Sequence, residues 1–139
     1  MLCPPVLDDI RNDYWPHIVN ENFMLDYFTD LDFLKNQVAT LENFNLLCVF
    51  RNPTCHFEKS PTDAFDFVGY DLVEAQTGIS ALTNCGGFPE AFSNSELSPR
   101  GLLEDFGRAL EVKDRLSSRY PDDPHANCDL WAIYRASAK

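Results

Sequence analysis

The stretch Phe65 to Phe88, FDFVGYDLVEAQTGISALTNCGGF, constrains the fold more than any other part of the chain. From Phe65 to Glu74, apolar and polar residues alternate with the period of a strand that buries one face. Phe67, Gly69, Asp71 and Val73 are expected on one side, and Val68, Tyr70 and Leu72 on the other. Gln76-Thr77-Gly78 reads as a turn, with Gly78 suited to positive φ. Ile79 to Asn84 is the expected return strand, closed by Cys85-Gly86-Gly87. A chain built on this hairpin must contain a sheet.

Two further strands are expected. Leu46 to Arg51, LLCVFR, is a short apolar run with β-branched and aromatic members. Leu130 to Ala136, LWAIYRA, is the last strand. Thr29 to Leu41 is expected to be a helix, because Leu31, Leu34, Val38 and Leu41 share one face. Thr29 caps it, and Asp30 and Asp32 sit near the positive end of its dipole. The strongest helical pattern follows Ser98, read as an N-cap, and Pro99, read as the first helical residue. Leu102, Leu103, Phe106, Ala109, Leu110, Leu116 and Tyr120 form its apolar face, and Pro121 stops it. Residues 1–28 are ambiguous: Asp8 to Asn22 has some helical spacing, but Pro16 would break a helix. Strands in runs broken by two helices, without strict alternation, indicate an α+β domain over residues 1–139. The expected form is a mainly antiparallel sheet of about four strands with helices packed on one face.

Charge narrows the partners. There are 22 acidic and 11 basic residues, a net charge of -11. Nucleic acid is bound by Lys and Arg neutralising phosphate, so direct nucleic-acid binding is not expected. An anionic membrane surface would repel the chain for the same reason. No run approaches the roughly 20 apolar residues of a membrane span, and MLCPPVLDDI lacks the pattern of a signal peptide. A basic protein would be steered toward the chain. The five cysteines, Cys3, Cys48, Cys55, Cys85 and Cys128, are odd in number and contain no Cys-x-x-Cys pair. Free thiols in a cytoplasmic setting are expected, with Cys48 a buried small hydrophobe.

If the first three strands form a meander, loop 52–64 and the turn at Cys85 share one end of the sheet. That end would gather Cys55, His56, Cys85, Gly86 and Gly87. His125 and Cys128 join them if the last strand runs antiparallel to Ile79–Asn84, and fall at the far end if it runs parallel. Two chemistries follow. Cys55, His56, Cys85, His125 and Cys128 supply zinc-type donors, but adjacent residues rarely bind one ion and no Cys-x-x-Cys knuckle is present, so no metal is expected. Cys85 could act as a nucleophile before two free glycine amides, with His56 or His125 as its base. The plainer alternative is a cysteine packed at a strand end before a tight turn. Asp71 and Glu74 lie on opposite faces of one strand and make no ready catalytic pair. Phe67, Tyr70, Trp131 and Tyr134 give the sheet rings that fill a core, line an apolar pocket or meet a second copy in a homodimer.

Gly69 to Phe92, GYDLVEAQTGISALTNCGGFPEAF, and His125 to Ala136, HANCDLWAIYRA, resemble small uncharacterised bacterial proteins, some carried on integron gene cassettes. The resemblance spans about half the chain. It implies a bacterial, cytoplasmic protein of one domain and carries over no catalytic residue. No P-loop or Rossmann glycine pattern is present, and no cofactor is expected. The expected function is a non-enzymatic, immunity- or inhibitor-like module that binds a basic protein. The alternatives are an apolar-ligand domain and a Cys85-dependent enzyme.

Overall fold

A computed structural model describes residues 18–22, 25–28, 31–39, 46–56, 64–83 and 87–137. They group into two compact units, residues 1–46 with 76–78, and residues 47–75 with 79–139. In the first unit, β1 (Ile18–Asn22) and β2 (Leu25–Phe28) form an antiparallel ribbon that pairs Asn22 with Leu25. Ile18 is therefore part of a strand and not of the helical spacing that includes Ile10 and Tyr14, which lie outside the described residues. Helix α1 (Leu31–Val38) carries Asp32 in its first turn and buries Leu34. It ends before the expected Leu41, with Ala39 already in a turn. Thr29 and Asp30 lie outside the described residues.

The second unit holds a three-stranded sheet of β3 (Leu47–Arg51), β4 (Phe65–Glu74) and β5 (Cys128–Ala136) in the order β3-β5-β4. Both pairings are antiparallel, so β3 and β4 point the same way and are not neighbours. The first three strands therefore do not meet the condition of a meander. The cause is the composition of β5. Leu130, Trp131, Ala132, Ile133 and Tyr134 are all buried, and a strand apolar on both faces belongs in the centre of a sheet. Loop 52–64 consequently joins opposite ends. Asn52 donates its amide to the Leu130 carbonyl, whereas the Ala64 carbonyl accepts from Ser137.

The alternation of β4 is broken once. Its register with β5 shifts between Phe67 and Gly69, which brings Phe67 onto the face of Tyr70 instead of the opposite one. Gly69 sits at φ 145°, where a Cβ would lie 2.7 Å from Leu102 Cβ. Without a side chain at 69, Leu103 pairs with Tyr70 through both backbone bonds. The rest of that edge is covered at Glu74, which donates to Ile79, and at Leu72, which accepts from Ala81. Over Ile79–Thr83, the described part of the return strand expected over Ile79–Asn84, the chain makes a bridge at Ser80 followed by bends, because Leu103 takes the next place on β4. Among the described residues the sheet has three strands and not four.

Leu102 and Leu103 being used this way, α2 spans Phe106–Arg119 and does not begin at Pro99. Ser98 and Pro99 instead open a tight turn that closes when Gly101, at φ 74°, donates to the Ser98 carbonyl. The N-cap is Asp105, whose Oδ1 accepts from the Arg108 amide at 2.7 Å. Ala109, Val112 and Leu116 are fully buried, and α2 packs on β4 and β5. Phe50, Phe67, Tyr70, Tyr134 and Phe106 join in edge and tilted ring contacts on that face. Asn52 ties the layers together. It ends β3 at φ 48°, a conformation asparagine tolerates. Its Oδ1 accepts from Lys113 of α2 and from the Leu130 amide, while its amide group donates to Asp129.

Candidate functional site

The end of the sheet where β4 stops and β5 starts collects the chemistry. Glu74, the last residue of β4, stands opposite Cys128, the first of β5. A 3-10 turn, Pro124–Ala126, precedes Cys128, and the Asp123 side chain caps it by accepting from the His125 amide. The turn sets the His125 ring against Glu74, Nδ1 to Oε2 at 2.9 Å. The glutamate side chain is 5% exposed and the imidazole 46%. The hydrogen bond and charge of Glu74 raise the His125 pKa above its ordinary value, with Asp123 adding to the effect. Among the described residues no hydrogen bond reaches Nε2. An imidazole held at Nδ1 by a carboxylate and open at Nε2 can accept and release a proton near neutral pH.

Cys128 lies under this turn and donates its thiol to the His125 carbonyl at 3.2 Å, not to the ring. Burial, followed by the charges of Asp71 and Glu74, pushes the thiol up to about 12. A nucleophilic cysteine needs the opposite shift. On the other face of β4, Asp71 accepts from Ser80 Oγ at 2.6 Å and from the Leu72 amide. Burial pushes its carboxyl up to about 6 against those two bonds.

The other expected site residues sit elsewhere. His56 bonds the Tyr70 hydroxyl through Nδ1 and stacks edge-on to Phe67. Tyr70 is four residues before Glu74 on β4, a separation of roughly 13 Å at the strand rise. Cys55 and His56 therefore occupy one station and His125 with Cys128 another. Among the described residues, no group of three potential ligands converges on a metal site. Cys85 and Gly86 lie outside the described residues. Cys48 is only half-buried, on the edge strand β3, although burial still raises its thiol pKa.

Of the expected ligand-binding rings, Phe67, Tyr70 and Tyr134 come together, and Trp131 projects from the opposite face of β5. Tyr70 and Tyr134 are each 1% exposed, so these rings pack on one another. Burial above all drives the Tyr70 phenol up to about 12, helped by Tyr134, Asp105 and Cys55. Open space lies elsewhere. A cleft of about 770 Å³ has Leu82, Phe88, Phe92 and Leu97 along it, with Thr83 and Ser93 as polar neighbours. A groove of about 410 Å³ at the C-terminus of α2 is lined by Ser117, Tyr120, Asp122, Asp123, Ala126 and Asn127.

Sequence reasoning singled out His125 but not Glu74. The pairing requires β5 to begin at Cys128, two residues before the expected start. The available signal was the acid closing an alternating strand together with a histidine just before the last strand. No protein-family model matches the chain, and neither does any curated protein or solved structure.

Proposed function

We propose that the chain is a non-enzymatic, acidic interaction module that binds a basic protein, in the manner of an immunity or inhibitor protein. One observation carries this reading: acids outnumber bases by 22 to 11, and three of the arginines are already held in internal ion pairs. Arg51 pairs with Asp129, Arg108 with Glu96 and Glu111, and Arg115 with Glu111. Glu90, Glu104, Asp114 and Asp122 are exposed and have no cationic partner among the described residues. Asp32, Asp66 and Asp105 are exposed in the same way, and Lys35, Arg100, Arg119 and Arg135 are the exposed cations without an acidic partner among the described residues. The unit of residues 1–46 with 76–78 is more acidic still, with eight acids against two bases. Opposite charge steers a basic partner to such a surface and fixes its register. A place among bacterial cassette cargo, and a cytoplasmic site of action, belong to the same proposal. No helix among the described residues is long and apolar enough to cross a membrane.

The test is affinity capture at low and high salt, with the native chain and a Glu90→Gln, Glu104→Gln, Asp114→Asn, Asp122→Asn variant. The native chain should retain basic proteins at low salt, release them at high salt, and lose them on neutralisation. Capture that ignores both salt and the four substitutions would remove the basis of the proposal. A homodimer would instead hold or strengthen with salt in light scattering, because screening weakens self-repulsion and leaves apolar contact.

The cleft beside Phe88 and Phe92 favours a second reading, a site for a small apolar ligand. An NMR screen of aromatic and aliphatic fragments would then move resonances of Leu82, Phe88 and Phe92 together. An unmoved spectrum across such a library counts against it.

A further inference from the structure

The turn at Pro124–Ala126 is held at several points. Asp123 caps it, the Ala126 amide donates to the Asp123 carbonyl at 3.0 Å, and Cys128 donates to the His125 carbonyl. The Asn127 carbonyl accepts from the Ala75 amide at 3.2 Å, which links the turn to the end of β4. None of these bonds depends on a proton on imidazole. The side-chain bond of His125 to Glu74 does, and it joins residues 51 apart in the chain. Pro124, Ala126 and Asn127 also line the groove at the end of α2, together with Asp122 and Asp123.

We infer that Glu74 and His125 form a proton-operated latch, fastening the turn Pro124–Ala126 and this wall of the groove to the end of β4. Two features of the pair make it responsive. Protonated imidazole carries hydrogen on both nitrogens, so Nδ1 always donates, and the bond to the carboxylate is charge-assisted. Neutral imidazole carries one hydrogen, which moves to Nε2 on the open side in one tautomer and leaves Nδ1 facing the carboxylate without a donor. Raising the pH thus removes charge assistance and part of the donation together. Burial of Glu74 makes the loss felt, since a carboxylate out of water depends on its partners.

The charged and titratable surroundings are mixed. Glu74 of β4 and Asp123 of the turn act on the ring and favour its protonated form. Asp71 of β4, Asp129 of β5 and Lys113 of α2 act on Cys128. The latch is closed below neutrality and loosens as His125 deprotonates.

NMR on the native chain, on Glu74→Gln and on His125→Gln tests this without any partner. The His125 ring should titrate above its ordinary value of about 6.5 in the native chain and move toward it in Glu74→Gln. Amide exchange at Ala75 and Ala126, corrected for intrinsic rates, should speed up severalfold between about pH 5.5 and about pH 8.5. In His125→Gln both amides should exchange fast, with the pH response gone. Protection that stays level through the His125 titration overturns the latch, as does the same pH profile in His125→Gln. His125 is exposed, so this variant keeps the comparison open even where Glu74→Gln fails to fold.

Discussion

Asp71 and Glu74 sit three residues apart on β4, and strand alternation sends them to different faces and different partners. Among the described residues Asp71 has two neutral donors, Ser80 Oγ and the Leu72 amide, so burial wins and its pKa rises from 3.8 to about 6. The folded state therefore holds this proton more tightly than the unfolded chain does. Stability from this group is greatest below the unfolded value, falls as pH rises through the window up to about 6, and is level above it. Asp71→Asn keeps an acceptor for both donors and removes the buried charge. It should raise stability at neutral pH by up to about 2 kcal/mol and flatten the dependence across that window. Denaturant melts at several pH values check it, and a less stable variant with an unchanged slope would count against the assignment. Cys128 gives a second test at this scale. With its thiol pushed up to about 12, it should resist iodoacetamide at neutral pH while exposed Cys55 is alkylated. Peptide mapping distinguishes the two, and rapid modification of Cys128 in the folded chain would be the contrary result.

At the scale of elements, the edge of β4 rests on Gly69. Gly69→Ala adds a Cβ 2.7 Å from Leu102 Cβ and 3.0 Å from the Leu103 carbonyl oxygen, at a φ of 145°. The substitution should cost about 2–4 kcal/mol. A loss below about 0.5 kcal/mol would show that Leu102 and Leu103 do not need this approach. Asp105→Ala should cost about 1 kcal/mol as the loss of a helix cap, whereas Ser98→Ala should leave α2 intact. Both are read by thermal melts followed at a helical signal.

The same elements separate what was legible in the sequence from what was not. Strand β4 runs over the expected Phe65–Glu74, and β3 differs from its expected span by one residue, because alternation and a short apolar run are local signals. Ser98-Pro99 suits a tight turn as well as a helix start, and Gly101 decides for the turn. The bulge at Val68 and the central place of β5 follow from pairing, which no local pattern encodes. The candidate site divides in the same way. A histidine before a strand is visible in the sequence, but the carboxylate that holds it depends on the register of β4 against β5.

At the scale of the whole molecule, a net charge of -11 sets the behaviour. Surface ion pairs such as Arg108–Glu96 add little stability one by one, and the excess of 22 acidic over 11 basic residues leaves carboxylates facing water. We propose that this excess selects a basic protein partner. The most direct measurement is the association rate of the captured partner with the native chain over a salt series, beside the four-fold neutralised variant. The rate should fall steeply with salt for the native chain, and be slower and flatter for the variant. A rate insensitive to both salt and neutralisation would contradict it.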